Sequence, residues 1–251
     1  MLKQLIKRTA YKIAPRFSAE MDDRWWLAKN VRELSRRAAA CQTAADYLDA
    51  LEATHGFPAW QNRSEILAMM EVVRALRPRR ACEIGSMEGG TLFLVTQMCD
   101  PAAHVISVDW EYTAARRQCF PRFARRQQVL SLVEGDSHDP ATLERVRTLL
   151  DGEPLDFLFV DGDHSYAGVK KDFEMFSPLV RAGGAIAFHD IVPDVRARRG
   201  AKTLRDSGGV PQFWREIHAR YPQSREFIQD PEQDGCGIGM IRWTGEGAYR
   251  V

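Results

Sequence analysis

No two cysteines in this chain have the C-x-x-C spacing, and no cysteine–histidine set has the spacing of a structural zinc site, although five cysteines are present (Cys41, Cys82, Cys99, Cys119, Cys236). A disulfide framework and a zinc module are therefore not suggested. An odd, scattered set suits a reducing compartment, and the cytoplasm is the expected location. Long hydrophobic runs are also lacking. None reaches the length that spans a bilayer, and the opening MLKQLIKRTAYKIAPRF has no uninterrupted apolar core of the signal-peptide kind. Charge of one sign is lacking too: 35 Lys and Arg stand against 34 Asp and Glu, a net +1. That balance argues against nucleic acid as the partner, since such proteins neutralise many phosphates. Repeats and low-complexity linkers are absent. What is there is 251 residues, 45% apolar and 27% charged, enough for one large domain with its own core.

The pattern changes near residue 78. Residues 1–77 read as a helical cap or oligomerisation segment. In NRSEILAMMEVVRALRP, Ile66, Met69, Met70, Val73 and Leu76 share one helical face and Pro78 ends it. Leu2, Leu5, Ile6, Ala10 and Ile13 form one face of a basic helix that suits either packing in a homo-oligomer or weak contact with a membrane surface. Residues 78–251 alternate short apolar strands with helices. The predicted strands are 80–85, 104–109, 128–135, 155–161 and 184–190, and SREFIQD with GCGIGMIRW suggests a closing hairpin. Strands apolar throughout, each followed by a helix, predict a doubly wound, Rossmann-like α/β sheet, mostly parallel, with a C-terminal antiparallel hairpin.

In such sheets ligands bind beyond the carboxyl ends of the strands, and the polar clusters fall there. EIGSMEGGT (83–91) is a glycine-rich strand-to-helix turn, but Met87 stands where a dinucleotide fingerprint needs its second glycine. The extra carboxylate of Glu83 suits a ligand with a cationic amino-acid portion better than a diphosphate. Asp109, at the end of the second strand, is placed for ribose hydroxyls. Asp136 and Ser137 are placed for an adenine. Any of these acids alone is as well explained as a turn former.

Taken in order, EIGSMEGGT, VDW, EGDS, FVDGDHSYAGVKKDF, AGGAIAFHDI, GVPQFW and the closing GIGMI resemble a class I S-adenosylmethionine-dependent methyltransferase. The resemblance is to the branch holding metal-dependent sugar O-methyltransferases and the cephalosporin-hydroxylase-like proteins, over about residues 62–243. It implies that Glu83, Gly85, Ser86 and Gly89 surround the methionine portion of the cofactor, Asp109 its ribose, and Asp136 and Ser137 its adenine side.

The fourth and fifth predicted strands end in VDGDHSY and FHDI. As neighbours in this topology they bring Asp161, His189 and Asp190 together, with Asp163 and His164 just beyond. Carboxylates held this close need protons or a cation, and a divalent metal with open positions is the economical answer. The family resembled uses an acid at the position of Asp161 and two adjacent acids at those of His189 and Asp190. Magnesium or manganese is the expected ion, and the imidazole of His189 turns preference away from magnesium. Methyl transfer to an alcohol also needs a base. By resemblance that base is His164, with Asp163 the other candidate. The plainer alternative is that His164 and Ser165 only open a helix whose Val169, Phe173 and Phe176 face the core. A facial triad of His164, His189 and Asp190 in an iron oxygenase has the right residue types but leaves the glycine turn without a task.

Arg196, Arg198, Arg199, Lys202 and Arg205, in the long connection 190–214, either greet an anionic acceptor or are solvated charge. Trp214, Trp25 and Trp26 are each core or a sugar-stacking platform. The expected activity is metal-assisted O-methylation of a hydroxyl on a sugar, glycosylated natural product or polysaccharide, so the acceptor is a small molecule or a glycan. A phenolic acceptor is one alternative, and a non-catalytic cofactor-binding protein is the other.

Overall fold

Alternation along one strand shows how the sheet is built. In Leu155–Val160 (β4), Phe157 and Phe159 pack into the core on one side of the sheet, and Leu158 and Val160 into the core on the other. Each buried Phe or Leu stabilises the fold by about 1.5–3 kcal/mol, so a strand of this composition is stable only with both faces covered. The computed structural model describes residues 16–203 and 205–245. The apolar face expected at Leu2, Leu5, Ile6, Ala10 and Ile13 lies outside them.

The parallel strands are Arg80–Ile84 (β1), His104–Asp109 (β2), Val129–Glu134 (β3), β4 and Val180–His189 (β5). With Arg225–Phe227 (β6) and Ile238–Arg242 (β7) they form one seven-stranded sheet in the order β3-β2-β1-β4-β5-β7-β6. β7 runs antiparallel to both β5 and β6. The doubly wound, mostly parallel sheet and its C-terminal antiparallel pair are as the sequence indicated. β5 begins at Val180, four residues before the predicted start at 184, and its pairing with β4 shifts register between Leu155 and Phe157.

One face carries Arg16–Ala38 (α1), Ala44–Glu52 (α2), Arg63–Leu76 (α3), Gly90–Met98 (α4) and Ala114–Cys119 (α5). Every residue of α4 is buried, and its polar Thr91, Thr96 and Gln97 hydrogen-bond to Gln61 and to the Leu92 and Phe123 carbonyls. α3 buries Ile66, Met69, Met70 and Val73, and ends in a left-handed Arg77 before Pro78. The other face carries Pro140–Leu150 (α6), Tyr166–Phe176 (α7) and Val210–Arg220 (α9). A short helix, Val195–Arg199 (α8), lies within the 190–214 connection. Trp214 is core, with its Nε1 donating to Glu226 at 2.6 Å, whereas Trp25 is 71% exposed. The strand order reverses at β1 and β4, and the carboxyl ends on either side of that point hold the polar clusters.

Candidate active site

The glycine turn after β1 is built around Asp109. Its Oδ2 accepts hydrogen bonds from the Ser86 and Met87 amides at 2.8 and 2.9 Å. Gly85, Met87 and Gly89 all take positive φ (83°, 44° and 83°). Met87 thus adopts, as a non-glycine, the conformation a glycine holds without strain. Gly85 is required by crowding: a Cβ there would lie 2.0 Å from the Asp161 carbonyl oxygen. That approach sets the β1 turn directly against the tip of β4.

Glu83 is 1% exposed and neither carboxylate oxygen has a hydrogen-bond partner. Burial, helped by the nearby carboxylates of Asp161 and Asp109, pushes its pKa well above the usual range. A buried carboxyl without a partner is what a cationic ligand group would complete. Ser86 is tied into a buried chain instead, its hydroxyl to Ser107 and Ser107 to Tyr112 at 2.7 Å. At the third tip, Asp136 accepts from the His138 amide at 2.8 Å. The Ser137 hydroxyl lies against the buried Asp172, whose pKa burial raises to about 6 while Ser137 and His138 oppose the rise. Trp110, just after Asp109, and Met87 are large apolar side chains exposed at this edge.

The tips of β4 and β5 converge as the sequence indicated. Asp161 Oδ1 lies 3.1 Å from His189 Nδ1 and 3.6 Å from His164 Nε2. Asp190 Oδ2 lies 3.4 Å from His189 Nδ1 and 3.4 Å from His164 Nδ1. Burial works against the Asp161 charge, yet the two imidazoles hold its pKa down at about 2. The hydrogen bond to Asp161 raises His164 to about 9 against desolvation, helped by the charge of Asp161 and Asp190 and by the Asp206 carbonyl. His189 is 5% exposed. Burial opposes its protonation, but Asp161, Asp190 and Cys236 together carry its pKa well above the ordinary value.

Asp163 is not part of this cluster. It accepts from the Ser165 amide at 2.8 Å and lies over Gly168. Ser165 caps α7 by accepting from Gly168 N at 3.0 Å, so the capping alternative holds for Ser165 while its neighbour His164 turns into the cluster. His164 Nδ1 lies 2.5 Å from the Asp206 carbonyl. Donation there orients the ring so that Nε2 faces Asp161, whose charge favours the protonated imidazole.

Three participants were not identified from the sequence. Gln61 donates through Nε2 to Asp161 Oδ2 at 3.0 Å and accepts from Thr91 at 2.7 Å. Cys236 donates its amide to Asp190 Oδ1 at 2.9 Å. Glu65, buried at the start of α3, accepts from the Gln229 and Gly237 amides at 3.0 Å each and so fixes the loop that carries Cys236. Of the basic residues in the 190–214 connection, Arg198 binds the carbonyls of Pro231, Glu232 and Gln233, and Arg205 donates to the Trp60 carbonyl at 2.7 Å. A cavity of about 400 Å³ between Leu48, His55, Pro58 and Ile66 touches the cluster only through Gln61.

With this geometry in view, a family model described as a methyltransferase domain matches residues 82–191, the span from β1 to the residue after Asp190. Over that span the chain is similar to methyltransferase domains. The rhamnosyl O-methyltransferases of Mycobacterium tuberculosis and Mycobacterium bovis are 29% identical over 140 residues, 54% of this chain and 55% of theirs. An uncharacterised protein of Sinorhizobium fredii is 29% identical over 196 residues, 70% of this chain and 18% of its own length. The chain therefore spans about half the length of the first curated relatives and less of the second. The solved O-methyltransferase of Bacillus cereus, in complex with S-adenosylhomocysteine, matches with a TM-score of 0.56 at 17% identity, over 88% of this chain and 99% of its own. The O-methyltransferase of tomaymycin synthesis from Streptomyces achromogenes matches at 0.55 and 16%, over 81% and 91%. At such identities these structures speak to the fold of the methyltransferase domain alone. No described helix is long and apolar enough to cross a membrane.

Proposed function

We propose that the protein is an S-adenosylmethionine-dependent O-methyltransferase acting on a hydroxyl of a sugar or glycoconjugate. One observation carries the reading: the β1 turn, with its unpartnered buried Glu83, is pressed by Gly85 against the β4 tip that bears Asp161 and His164. A donor site and a proton-accepting site thus share one rim. The sugar acceptor is supported by the likeness to the rhamnosyl O-methyltransferases.

S-adenosylmethionine supplies the methyl group on its sulfonium sulfur and leaves as S-adenosylhomocysteine. Glu83 takes the ammonium of its amino-acid portion, the backbone at Gly85 to Gly89 gives close approach, and Asp109, Asp136 and Ser137 lie along the ribose and adenine side. In its neutral form, His164 accepts the acceptor's hydroxyl proton at Nε2 as the new O–C bond forms. General base catalysis of this kind contributes about 10²–10⁴-fold. The residues also fit a divalent cation: ligand atoms of Asp161, His164 and Asp190 lie within 4.8 Å of one another, as do those of His189, Asp190 and Cys236, and His189 Nε2 has no partner. When bound, such a cation would lower the pKa of an acceptor hydroxyl and draw carboxylate charge away from His164. The chain is expected to work as a homo-oligomer in the cytoplasm.

The test is transfer of a labelled methyl group from S-adenosylmethionine to a panel of rhamnosides and other deoxyhexosides, with phenols in parallel. Label on a sugar supports the proposal. Label on phenols alone moves the acceptor class, and no label on any acceptor, from protein that binds S-adenosylhomocysteine, favours a non-catalytic role.

A further inference from the structure

Cys236 occupies a position that sterics would give to glycine. Gly235, Cys236 and Gly237 take positive φ in succession (70°, 60° and 80°), so the middle residue carries a side chain where neither neighbour does. Asp190, which accepts the Cys236 amide, is itself at φ 60°. Two non-glycine residues in the left-handed region therefore face one another, and strain of that kind persists where a surrounding structure imposes it. One ligand atom from each of His189, Asp190 and Cys236 lies within 4.8 Å of the others, and all three residues are buried. His189 is 95% removed from solvent and its Nε2 has no hydrogen-bond partner. Asp161 is committed elsewhere, with Oδ2 to Gln61 and Oδ1 to His189 Nδ1.

We propose that Cys236, His189 and Asp190 form a three-ligand site for a thiophilic divalent cation of the zinc–cobalt class, with Cys236 a ligand and magnesium excluded. Sulfur, nitrogen and oxygen donors together match such ions, whereas magnesium takes oxygen ligands. Three protein ligands with a fourth position open is the arrangement of catalytic zinc sites. Tetrahedral bonds of about 2.0–2.3 Å set donor atoms about 3.5 Å apart, so atoms already within 4.8 Å of one another close around an ion by side-chain movement. On binding, the thiol proton passes to solvent as the sulfur–metal bond forms. The Cys236 thiol then gives up its contact with the Trp60 carbonyl at 3.8 Å, and that oxygen keeps Arg205 Nη1 at 2.7 Å. The inference deepens the methyltransferase reading by naming the ion class of its site, but its test is independent of turnover.

Metal-stripped full-length protein is titrated with Co²⁺ and followed by absorbance, alongside Cys236→Ser and Cys236→Gly. The glycine variant relaxes the left-handed backbone and guards against a folding failure. The expected result is a near-ultraviolet thiolate-to-cobalt charge-transfer band in the wild type. It is removed by zinc, left unchanged by magnesium, and absent from both variants, whose cobalt affinity falls by at least about tenfold. A band that survives in the variants assigns the thiolate to another cysteine and overturns the proposal. So does cobalt binding without the band, which assigns the ion to a thiolate-free set such as Asp161, His164 and Asp190. No cobalt binding also overturns it, and S-adenosylhomocysteine titrated into the same sample shows whether the methyltransferase reading stands without the metal.

Discussion

Asp156 lies at the start of β4 and Asp161 directly follows its end, and their surroundings differ at every contact. Asp156 Oδ2 accepts from the Arg79 and Arg80 amides at 2.7 and 3.0 Å, and Oδ1 from Arg181 Nε at 2.6 Å. Its partners are backbone amides and a guanidinium, none of which titrates near neutral pH. Asp161 meets Gln61 and two imidazoles. Burial disfavours ionisation at both, and both are nonetheless held below the ordinary carboxylate range, Asp156 by Arg181 and the two amides, Asp161 by His189 and His164. The lower end of β4 is closed and holds the sheet together. The upper end is neutralised by groups that exchange protons and ligate metals, which is where chemistry can occur.

The largest effect is expected at the upper end. His164→Gln is expected to lower labelled methyl transfer by about 10²–10⁴-fold while S-adenosylhomocysteine affinity, measured by calorimetry, stays within about twofold. A proportionate loss of cofactor affinity would make His164 part of the donor site. At the lower end the effect falls on stability. Asp156→Ala removes the acceptor of two amides and Arg181, and about 2–4 kcal/mol should disappear from the urea unfolding free energy with cofactor affinity unchanged.

A smaller effect separates the ends by pH. A carboxyl whose folded pKa is depressed contributes stability above its unfolded value of about 3.9, and loses that contribution as pH falls through the folded value. The stability gap between wild type and Asp156→Asn should therefore be constant near neutrality and narrow below about pH 4. Urea titrations across that range decide it, and a gap that widens on acidification contradicts the assignment. The least effect is expected at Gln61→Leu, which leaves Asp161 without its amide partner. A fall of about tenfold in kcat/KM with a stability change near 1 kcal/mol would place Gln61 as a positioning residue, and an unchanged kcat/KM would remove it from the account.

The strands were legible because FLFV is apolar in full and VISV is broken only by Ser107, and only a two-faced sheet absorbs that pattern. The start of β5 was hidden because Gly183 and Gly184 break the apolar run, while the register shift beside them lets the strand begin at Val180. At the site, Asp161, His164, His189 and Asp190 were readable because each follows an apolar strand whose position fixes theirs. Gln61 and Cys236 were not, because neither lies at a parallel strand's tip. Gln61 arrives through the segment before α3, and Cys236 through the loop before an antiparallel strand that Glu65 anchors from α3. Only the glycines on either side of Cys236 marked it out. Asp163 misled through its spacing in DGDHSY: it turns back onto α7 as a local acceptor for Ser165.

The central claim is that the rim formed by the β1 turn and the β4 tip binds a methyl donor. Calorimetric titration of the folded protein with S-adenosylhomocysteine tests it most directly, with Glu83→Gln in parallel. Stoichiometric binding by the wild type and weaker binding by the variant are expected. Absence of binding by folded wild-type protein would contradict it.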